Sequence, residues 1–155
     1  GETFVTRKIS RAVGRIKLGL QNKLTLGNLD AMRDWGYAGD YVEGMWRMMQ
    51  HDTPDDWVLA TGKAYKVSDF VKRAFECADL NWEAYITTSK RYQRPNEVHH
   101  LLGDSSKARD TLNWEPKVNF ESLVKLMVDN DIELATQEKT LLDSGLIKPT
   151  WENAT

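Results

Sequence analysis

The stretch VTRKISRAVGRIKLGL, residues 5–20, combines one apolar helix face with a strongly basic one. Its apolar residues recur at steps of four, three and four, the spacing of a single helix face: Ile9, Val13, Ile16 and Leu20. Thr6 is a candidate N-cap for this helix. Residues 1–23 hold six Lys or Arg against one Glu, a local charge of +5. The pattern predicts a helix that packs one side against a core and presents the other to acidic groups or solvent.

A second long helix is predicted near the end of the chain. Its apolar stripe comprises Phe120, Leu123, Val124, Met127, Val128, Ile132 and Leu134. Residues 120–143 hold six acids against two lysines, a local charge of −4. The opposite charges of the two helices favour their pairing, either within one chain or between chains.

Three further helices and three strands are predicted between these two. One helix follows Asp40, another follows Ser68, and a short one runs from residues 104–106 to Leu112. The first has an apolar stripe of Val42, Met45, Trp46 and Met49, and the second has a predicted buried stripe of Phe70, Val71, Ala74, Phe75 and Ala78. The strand candidates are residues 24–26, 57–60 and 82–87, and residues 30–37 are interpreted as a loop. The predicted fold class is α/β, a helix-rich small mixed domain over residues 1–143 with residues 144–155 as a tail.

Composition excludes several classes of protein. The chain has 155 residues, 41% of them hydrophobic, and a net charge of −2, which argues against a nucleic-acid binder. It contains no apolar run of 18 residues and no recognisable signal peptide, so no membrane association is expected. The single cysteine, Cys77, excludes an intrachain disulfide and favours a cytoplasmic location. Of the six tryptophans, three are predicted to lie in the core: Trp46, Trp57 and Trp82.

Motifs for self-sufficient catalysis are absent from the sequence. There is neither a Gly-x-Gly-x-x-Gly turn nor a phosphate-binding loop of the Gly-x-x-x-x-Gly-Lys-Ser/Thr type. His99 and His100 are adjacent, and neighbouring residues of a strand point to opposite faces, so no metal site is predicted there. No set of catalytic residues can be assigned from the sequence.

The stretch LGNLDAMRDWGYAGDYV, residues 26–42, suggests a ligand site. Gly27 and Asn28 allow a tight turn that exposes main-chain amide and carbonyl groups. Arg33 offers a planar fork suited to a phosphate, although pairing with Asp34 or Asp40 explains it equally well.

The stretch RYQRPNEV, residues 91–98, carries a second set of polar groups. Pro95 restricts the main chain and presents Arg94 from a stiff segment. Glu97 can accept two hydrogen bonds from a vicinal diol such as that of ribose. The alternative is a surface ion pair between Arg94 and Glu97. Two arginines and one acid together suggest a site for a nucleoside diphosphate.

Several ungapped motifs resemble the C-terminal part of GDP-mannose 4,6-dehydratases, within the extended short-chain dehydrogenases/reductases. They are GETFVTRKI at 1–9, the stretch at 26–42, PDDWVLATG at 54–62, RPNEV at 94–98 and LLGDSSKA at 101–108. The resemblance extends from residue 1 to about residue 135. Residues 136–155 are expected to lie outside it.

The resemblance implies a function in nucleotide-sugar metabolism. Members of the family are lyases of GDP-fucose biosynthesis that convert GDP-mannose to GDP-4-keto-6-deoxymannose. An N-terminal Rossmann domain binds their NADP and carries the catalytic residues, and the enzymes are expected to be homo-oligomers, dimers or tetramers. This chain resembles only the substrate-binding part, so it is not expected to catalyse the reaction alone. The alternative hypothesis is a non-catalytic module that uses the same scaffold for protein association.

The resemblance also implies roles for individual residues. Arg33 would contact the diphosphate of GDP-mannose. Arg94 and Glu97 would hold the ribose and phosphate end of the nucleotide. Five further residues would border the nucleotide more loosely: Val5, Lys8, Leu26, Gly27 and Asn28. Neither a catalytic residue nor a cofactor-binding residue is expected in this chain.

Overall fold

In the computed structural model, which describes residues 4–92 and 98–148, five α-helices are combined with four short strands. In chain order they are α1 (Val5–Lys17), β1 (Leu24–Leu26), β2 (Met32–Asp34), α2 (Ala38–Met49), β3 (Ala64–Lys66), α3 (Val67–Glu76), β4 (Ile86–Thr88), α4 (Ser106–Leu112) and α5 (Phe120–Asp143). Single 3-10 turns lie at Trp82–Ala84 and Lys90–Tyr92. The predicted helix-rich mixed α/β class is confirmed.

The strands form two separate pairs. β1 lies parallel to β4, with Leu24 opposite Ile86 and Leu26 opposite Thr88. β2 lies antiparallel to β3, with Arg33 opposite Tyr65. β2 also forms a parallel bridge through Met32 to His100 on its other side. Both short ladders therefore depend on residues that are distant in the sequence.

The main core lies where α1, α3 and α5 pack together. Its largest fully buried apolar side chains are Ile9, Val13, Phe70, Val71, Phe75, Val124 and Val128. Burying one large apolar side chain stabilises a fold by about 1.5–3 kcal/mol, so these helices dominate the folding free energy. The predicted apolar stripes of α1, α3 and α5 therefore face this core, with two exceptions: Leu20 follows the end of α1, and Leu134 of α5 is 43% exposed.

Helices α1 and α5 cross in close contact at Gly14. A Cβ atom at Gly14 would lie 2.6 Å from the main-chain oxygen of Asp131. The buried carboxylate of Asp131 accepts a hydrogen bond from Ser10 at 2.5 Å and pairs with Arg7 at 2.9 Å. Arg15 pairs with Glu138, which lies about two turns after Asp131 on α5. The basic and acidic helices therefore pair within the chain.

Helices α1, α2 and α3 begin at other residues than those predicted, whereas α4 begins at Ser106 as expected. The N-caps are Phe4, Tyr37 and Lys66, and the predicted caps Thr6, Asp40 and Ser68 lie inside the first turns. The carboxylate of Asp40 instead accepts hydrogen bonds from the main-chain N–H groups of residues 117 and 118, both at 3.0 Å. A tertiary contact has therefore replaced the local cap expected at this position.

Two of the strand predictions need correction. Residues 57–60 have no regular secondary structure, and the predicted strand at residues 82–87 is reduced to Ile86–Thr88. A strand that was not predicted, Met32–Asp34, lies within the expected loop at residues 30–37. The partners of a strand come from remote segments, so local composition cannot decide whether a short segment is paired.

The apolar stripe of α2 faces outward, contrary to the prediction that Trp46 lies in the core. Trp46 is 62% exposed, and its neighbours on that face are exposed too: Val42, Met45 and Met49. The opposite face packs inward, as the close approach at Gly44 shows: a Cβ atom there would lie 2.7 Å from Leu59. Helical periodicity identifies an apolar face but does not show which element covers it.

The other tryptophans occupy varied environments. Trp57 and Trp82 are half-buried, whereas Trp114 is 1% exposed and forms a second, smaller core cluster with α4. The indole Nε1 of Trp114 donates to the main-chain oxygen of Asp40 at 2.7 Å. Trp151 lies outside the described residues. Of the helices in the described parts of the chain, none combines the length and apolar composition of a membrane span.

We expect Gly14→Ala to destabilise the fold although alanine is the better helix former. The added methyl group would overlap the main chain of α5 at Asp131, and such overpacking costs about 1–3 kcal/mol. The free energy of unfolding should fall by that amount in urea denaturation followed by circular dichroism. Lys17→Ala, at an exposed position of the same helix, is the control and should change the stability little. Equal or greater stability of Gly14→Ala would contradict the close crossing.

Candidate functional site

The chain approaches itself closely where β1 and β4 end. Because the two strands are parallel, their carboxyl ends lie on the same side, and the N–H of Ser89 donates to the oxygen of Leu26 at 2.9 Å. A Cβ atom at Gly27 would lie 2.3 Å from the main-chain oxygen of Tyr92. Glycine is therefore required at position 27 for steric reasons, and it fixes the main chain at Tyr92.

Helix α1 contributes Lys8 to the same place. The Nζ of Lys8 donates to the main-chain oxygen of Thr25 at 2.7 Å and lies 4.0 Å from the centre of the Tyr92 ring. Partial burial lowers the pKa of Lys8 below its usual value. Val5 lies three residues earlier, half-buried against the core. The first turn of α1 thus borders the end of β1.

The side chains of Leu26 and Asn28 hold the turn that follows β1. Leu26 is buried in the main core. The Oδ1 of Asn28 accepts a hydrogen bond from the N–H of Asp30 at 2.9 Å, which closes a short side-chain turn. Both side chains have structural contacts here, so these residues would meet a ligand chiefly through their main-chain groups.

Arg33 lies on β2 beside the segment that follows residues 93–97. Its Nη1 donates to the main-chain oxygens of Met32 at 2.7 Å and Val98 at 2.6 Å. The N–H of Met32 donates to the oxygen of His99 at 2.8 Å, which holds the segment against β2. Arg33 is therefore positioned at one end of residues 93–97.

Arg94 and Glu97 lie outside the described residues. Their neighbours in the chain are nevertheless placed: Tyr92 lies against Gly27 and Lys8, and Val98 accepts from Arg33. The structure thus brings the two predicted ligand stretches together at both ends of residues 93–97.

The two acids offered as partners of Arg33 bind main-chain groups elsewhere. Asp34 accepts hydrogen bonds from the N–H groups of Thr61 and Gly62 at 3.0 Å and of Gly103 at 3.3 Å, and from the Thr61 hydroxyl. Asp40 accepts from residues 117 and 118. Asp34 thereby ties β2 to two loops, a structural role that the sequence analysis did not assign.

The remainder of the motif that follows Arg33 is structural. Trp35 packs edge-on against Phe70, with ring centres 5.3 Å apart. A Cβ atom at Gly36 would lie 2.2 Å from the hydroxyl of Tyr41. Burial, with smaller contributions from Asp34 and Asp40, raises the pKa of Tyr41. Trp35 therefore stabilises the core beside the candidate site.

No separate role is predicted for Tyr92, although it lies within the stretch 91–98. Its contacts with Lys8 and Gly27 come from remote parts of the chain. No local spacing could have revealed them.

The sequence lacks the motifs of a dinucleotide site, and the described part of the chain holds no metal cluster. The 155 residues contain no Gly-x-Gly-x-x-Gly turn and no Tyr-x-x-x-Lys pair, so they do not fit the NADP implied by the resemblance. Across residues 4–92 and 98–148, no three His, Cys, Asp or Glu side chains cluster in a way that could hold a metal ion. What the site offers is cationic side chains and an aromatic ring.

Solved structures with a similar fold include a UDP-glucose 4-epimerase. RMD from Pseudomonas aeruginosa, solved with NADPH, matches 86% of this chain with a TM-score of 0.78 at 20% identity, over 44% of its own length. UDP-glucose 4-epimerase from Thermotoga maritima, solved with UDP-glucose, matches 88% of this chain with a TM-score of 0.71 at 25% identity, over 41% of its length. The fold is that of the extended short-chain dehydrogenase/reductase class.

Sequence comparison identifies the family within this class. The family model described as GDP-mannose 4,6 dehydratase matches residues 1–127. GDP-mannose 4,6 dehydratase 1 of Arabidopsis thaliana is 58% identical over 145 residues, which are 94% of this chain and 40% of the relative. The human GDP-mannose 4,6 dehydratase is 45% identical over 152 residues, covering 86% of this chain and 41% of the relative. The chain belongs to the GDP-mannose 4,6-dehydratase family.

The chain spans about 40% of the length of these relatives. The similarity also extends further than expected at its far end. The Arabidopsis relative covers 94% of the 155 residues, which leaves about nine residues outside. At least half of residues 136–155 therefore belong to the matched region, and the expected limit near residue 135 is wrong for this relative.

We expect Asp34→Asn to destabilise the chain. The amide keeps one acceptor oxygen but turns an NH₂ group towards main-chain N–H donors, and leaving a partly buried donor such as the N–H of Thr61 unsatisfied costs up to about 1–3 kcal/mol. The free energy of unfolding, measured by urea denaturation, should fall by this amount. Asp30→Asn removes the same charge from an exposed pair with Lys66 and should cost less than about 1 kcal/mol. Equal losses in the two variants would refute the structural role of Asp34.

Proposed function

We propose that this chain is the GDP-binding part of a GDP-mannose 4,6-dehydratase, an enzyme that converts GDP-mannose to GDP-4-keto-6-deoxymannose. The observation that supports this most is the convergence of Lys8 and Arg33 on the two ends of residues 93–97. Those five residues contain Arg94 and Glu97. Together with Lys8 and Arg33 they would supply three cations and one acid, which match the charges and the diol of a nucleoside diphosphate.

Arg33 is assigned to the diphosphate. Its hydrogen bonds to Met32 and Val98 orient the guanidinium before a ligand arrives, which reduces the entropy lost on binding. A planar fork also matches two phosphate oxygens better than an ammonium group does. Arg94 is assigned to the ribose and phosphate end, and Glu97 to the ribose hydroxyls.

Main-chain groups of the turn after β1 border the nucleotide in this proposal. Gly27 and Asn28 present amide and carbonyl groups at the end of β1, next to Lys8 and Val5 of α1. The side chain of Leu26 supports them from the core. Many nucleotide sites share this arrangement, in which a loop contacts the ligand and a rigid scaffold supports the loop.

Catalysis and cofactor binding are assigned to other parts of the longer protein. NADP supplies hydride acceptance and return in this reaction, and its site lies outside this chain. The whole protein is proposed to be a cytoplasmic homo-oligomeric lyase of GDP-fucose biosynthesis. This chain contributes the orientation of the nucleotide half of the substrate.

The outward face of α2 is proposed to pack against the cofactor-binding part of the longer protein. Four large apolar side chains of one helix face are exposed: Val42, Met45, Trp46 and Met49. Val58, in the neighbouring irregular segment, is also exposed. Contiguous apolar surface of this kind marks an interaction site, and the relatives have more than half of their length beyond the matched region.

The alternative hypothesis, a non-catalytic association module, is no longer supported by the charges of the two long helices. That hypothesis relied on the opposite charges of the first and last long helices. Arg7 and Arg15 pair instead with Asp131 and Glu138 of the same chain. The exposed apolar face of α2 is a surface available for association.

Arg33→Ala is expected to weaken GDP binding about 10- to 100-fold, the range for a lost hydrogen bond to a charged group. Arg33→Lys should fall between this variant and the unchanged chain, because it keeps the charge but loses the fork. Isothermal titration calorimetry with GDP measures both. Arg109→Ala, at an exposed position of α4, is the matched control and should bind normally. Equal affinity for the Arg33→Ala and Arg109→Ala variants would count against the diphosphate assignment.

A chimaera tests the activity. This chain should restore GDP-mannose dehydration when it replaces the matched part of the Arabidopsis relative, since the two are 58% identical. Trp46→Glu in the chimaera should reduce activity at least tenfold, because it places a charge in the proposed contact of α2. Leu134→Glu, a similarly exposed leucine on α5, is the control and should retain activity. If the chimaera is active and Trp46→Glu leaves its activity unchanged, the proposed contact of α2 is excluded while the proposed function stands.

A further inference from the structure

Tyr92 is an aromatic residue held at the candidate site with much of its ring accessible. Its side chain is 49% exposed. Its main-chain oxygen lies so close to Gly27 that no Cβ atom could fit between them. The ring carries the Nζ of Lys8 over one face, 4.0 Å from its centre. The residue is therefore fixed at its main chain and on one side of its ring.

A ring fixed in this way is suited to stacking. Aromatic side chains stack on nucleotide bases, and a ring that is already immobile loses little conformational freedom when a ligand arrives. The contacts of Tyr92 with Lys8 and Gly27 supply this immobility. The hydrophobic core, by contrast, makes no use of the ring among its packed members.

The position of Tyr92 in the chain matches the dimensions of a nucleotide. Tyr92 precedes Arg94 by two residues, so their Cα atoms are at most about 7 Å apart. The base of a nucleotide is attached directly to its ribose. A residue two positions from one that holds the ribose and phosphate is therefore close enough to stack on the base.

The geometry points to Tyr92 as the residue that stacks on the base of the bound nucleotide, a purine in GDP. The base would cover the ring on the side away from Lys8. Tyr92 would thus set a preference for purine over pyrimidine nucleotides, because the larger base gives the larger stacked area. This inference rests on the proposed nucleotide site.

Calorimetry with three probes separates stacking from phosphate binding. Tyr92→Leu should weaken GDP binding at least fivefold, leave inorganic pyrophosphate binding within twofold, and bring the affinities for GDP and UDP closer together. Tyr92→Phe keeps the ring and should bind all three probes as the unchanged chain does. Circular dichroism at 222 nm verifies that each variant is folded.

The outcomes distinguish this inference from the function on which it rests. If the unchanged chain binds neither GDP nor pyrophosphate, the nucleotide site itself is wrong. If it binds GDP and Tyr92→Leu retains that affinity and the GDP preference over UDP, only the stacking role is overturned. If Tyr92→Leu loses GDP and pyrophosphate equally, Tyr92 positions the neighbouring segment and does not stack, which also overturns the inference.

Discussion

The buried carboxylate of Asp131 determines where α1 crosses α5, and the rest of the structure depends on that crossing. Ser10 and Arg7 bind the carboxylate, while Gly14 lets the two main chains approach. A buried acid is tolerated only when it is paired and hydrogen-bonded, so this contact admits one register of the two helices. Helix α1 also carries Lys8, so the register of α1 against α5 sets where the ammonium group of Lys8 meets the end of β1.

The candidate site combines a rigid scaffold with short strands that have little stability of their own. Contacts between residues from remote segments hold the candidate site together: Gly27 packs against Tyr92, and Arg33 donates to the main-chain oxygen of Val98. Asp34 adds main-chain hydrogen bonds from two further loops. The strands serve chiefly to present side chains, while the helical core supplies the folding free energy.

The sequence predicted the helices of the core well and their surroundings less well. The stripes of α1, α3 and α5 are identified correctly apart from Leu20 and Leu134, because each face is read from residues within one helix. The stripe of α2 was equally regular, yet Trp46 lies outside the core. The strand at Met32–Asp34 was missed and residues 57–60 were assigned wrongly, since strand pairing is a property of two remote segments.

The amino-acid sequence alone determined the helical periodicity, the opposite charges of the two long helices, the absence of cofactor motifs, and the motifs that identify the family. These are properties of residue type and local spacing. Only the tertiary structure decided that the charges pair within the chain, that Asp34 binds main chain, and that Tyr92 meets Lys8. Each of these contacts joins residues far apart in the sequence, and their proximity follows from packing, which no local pattern records.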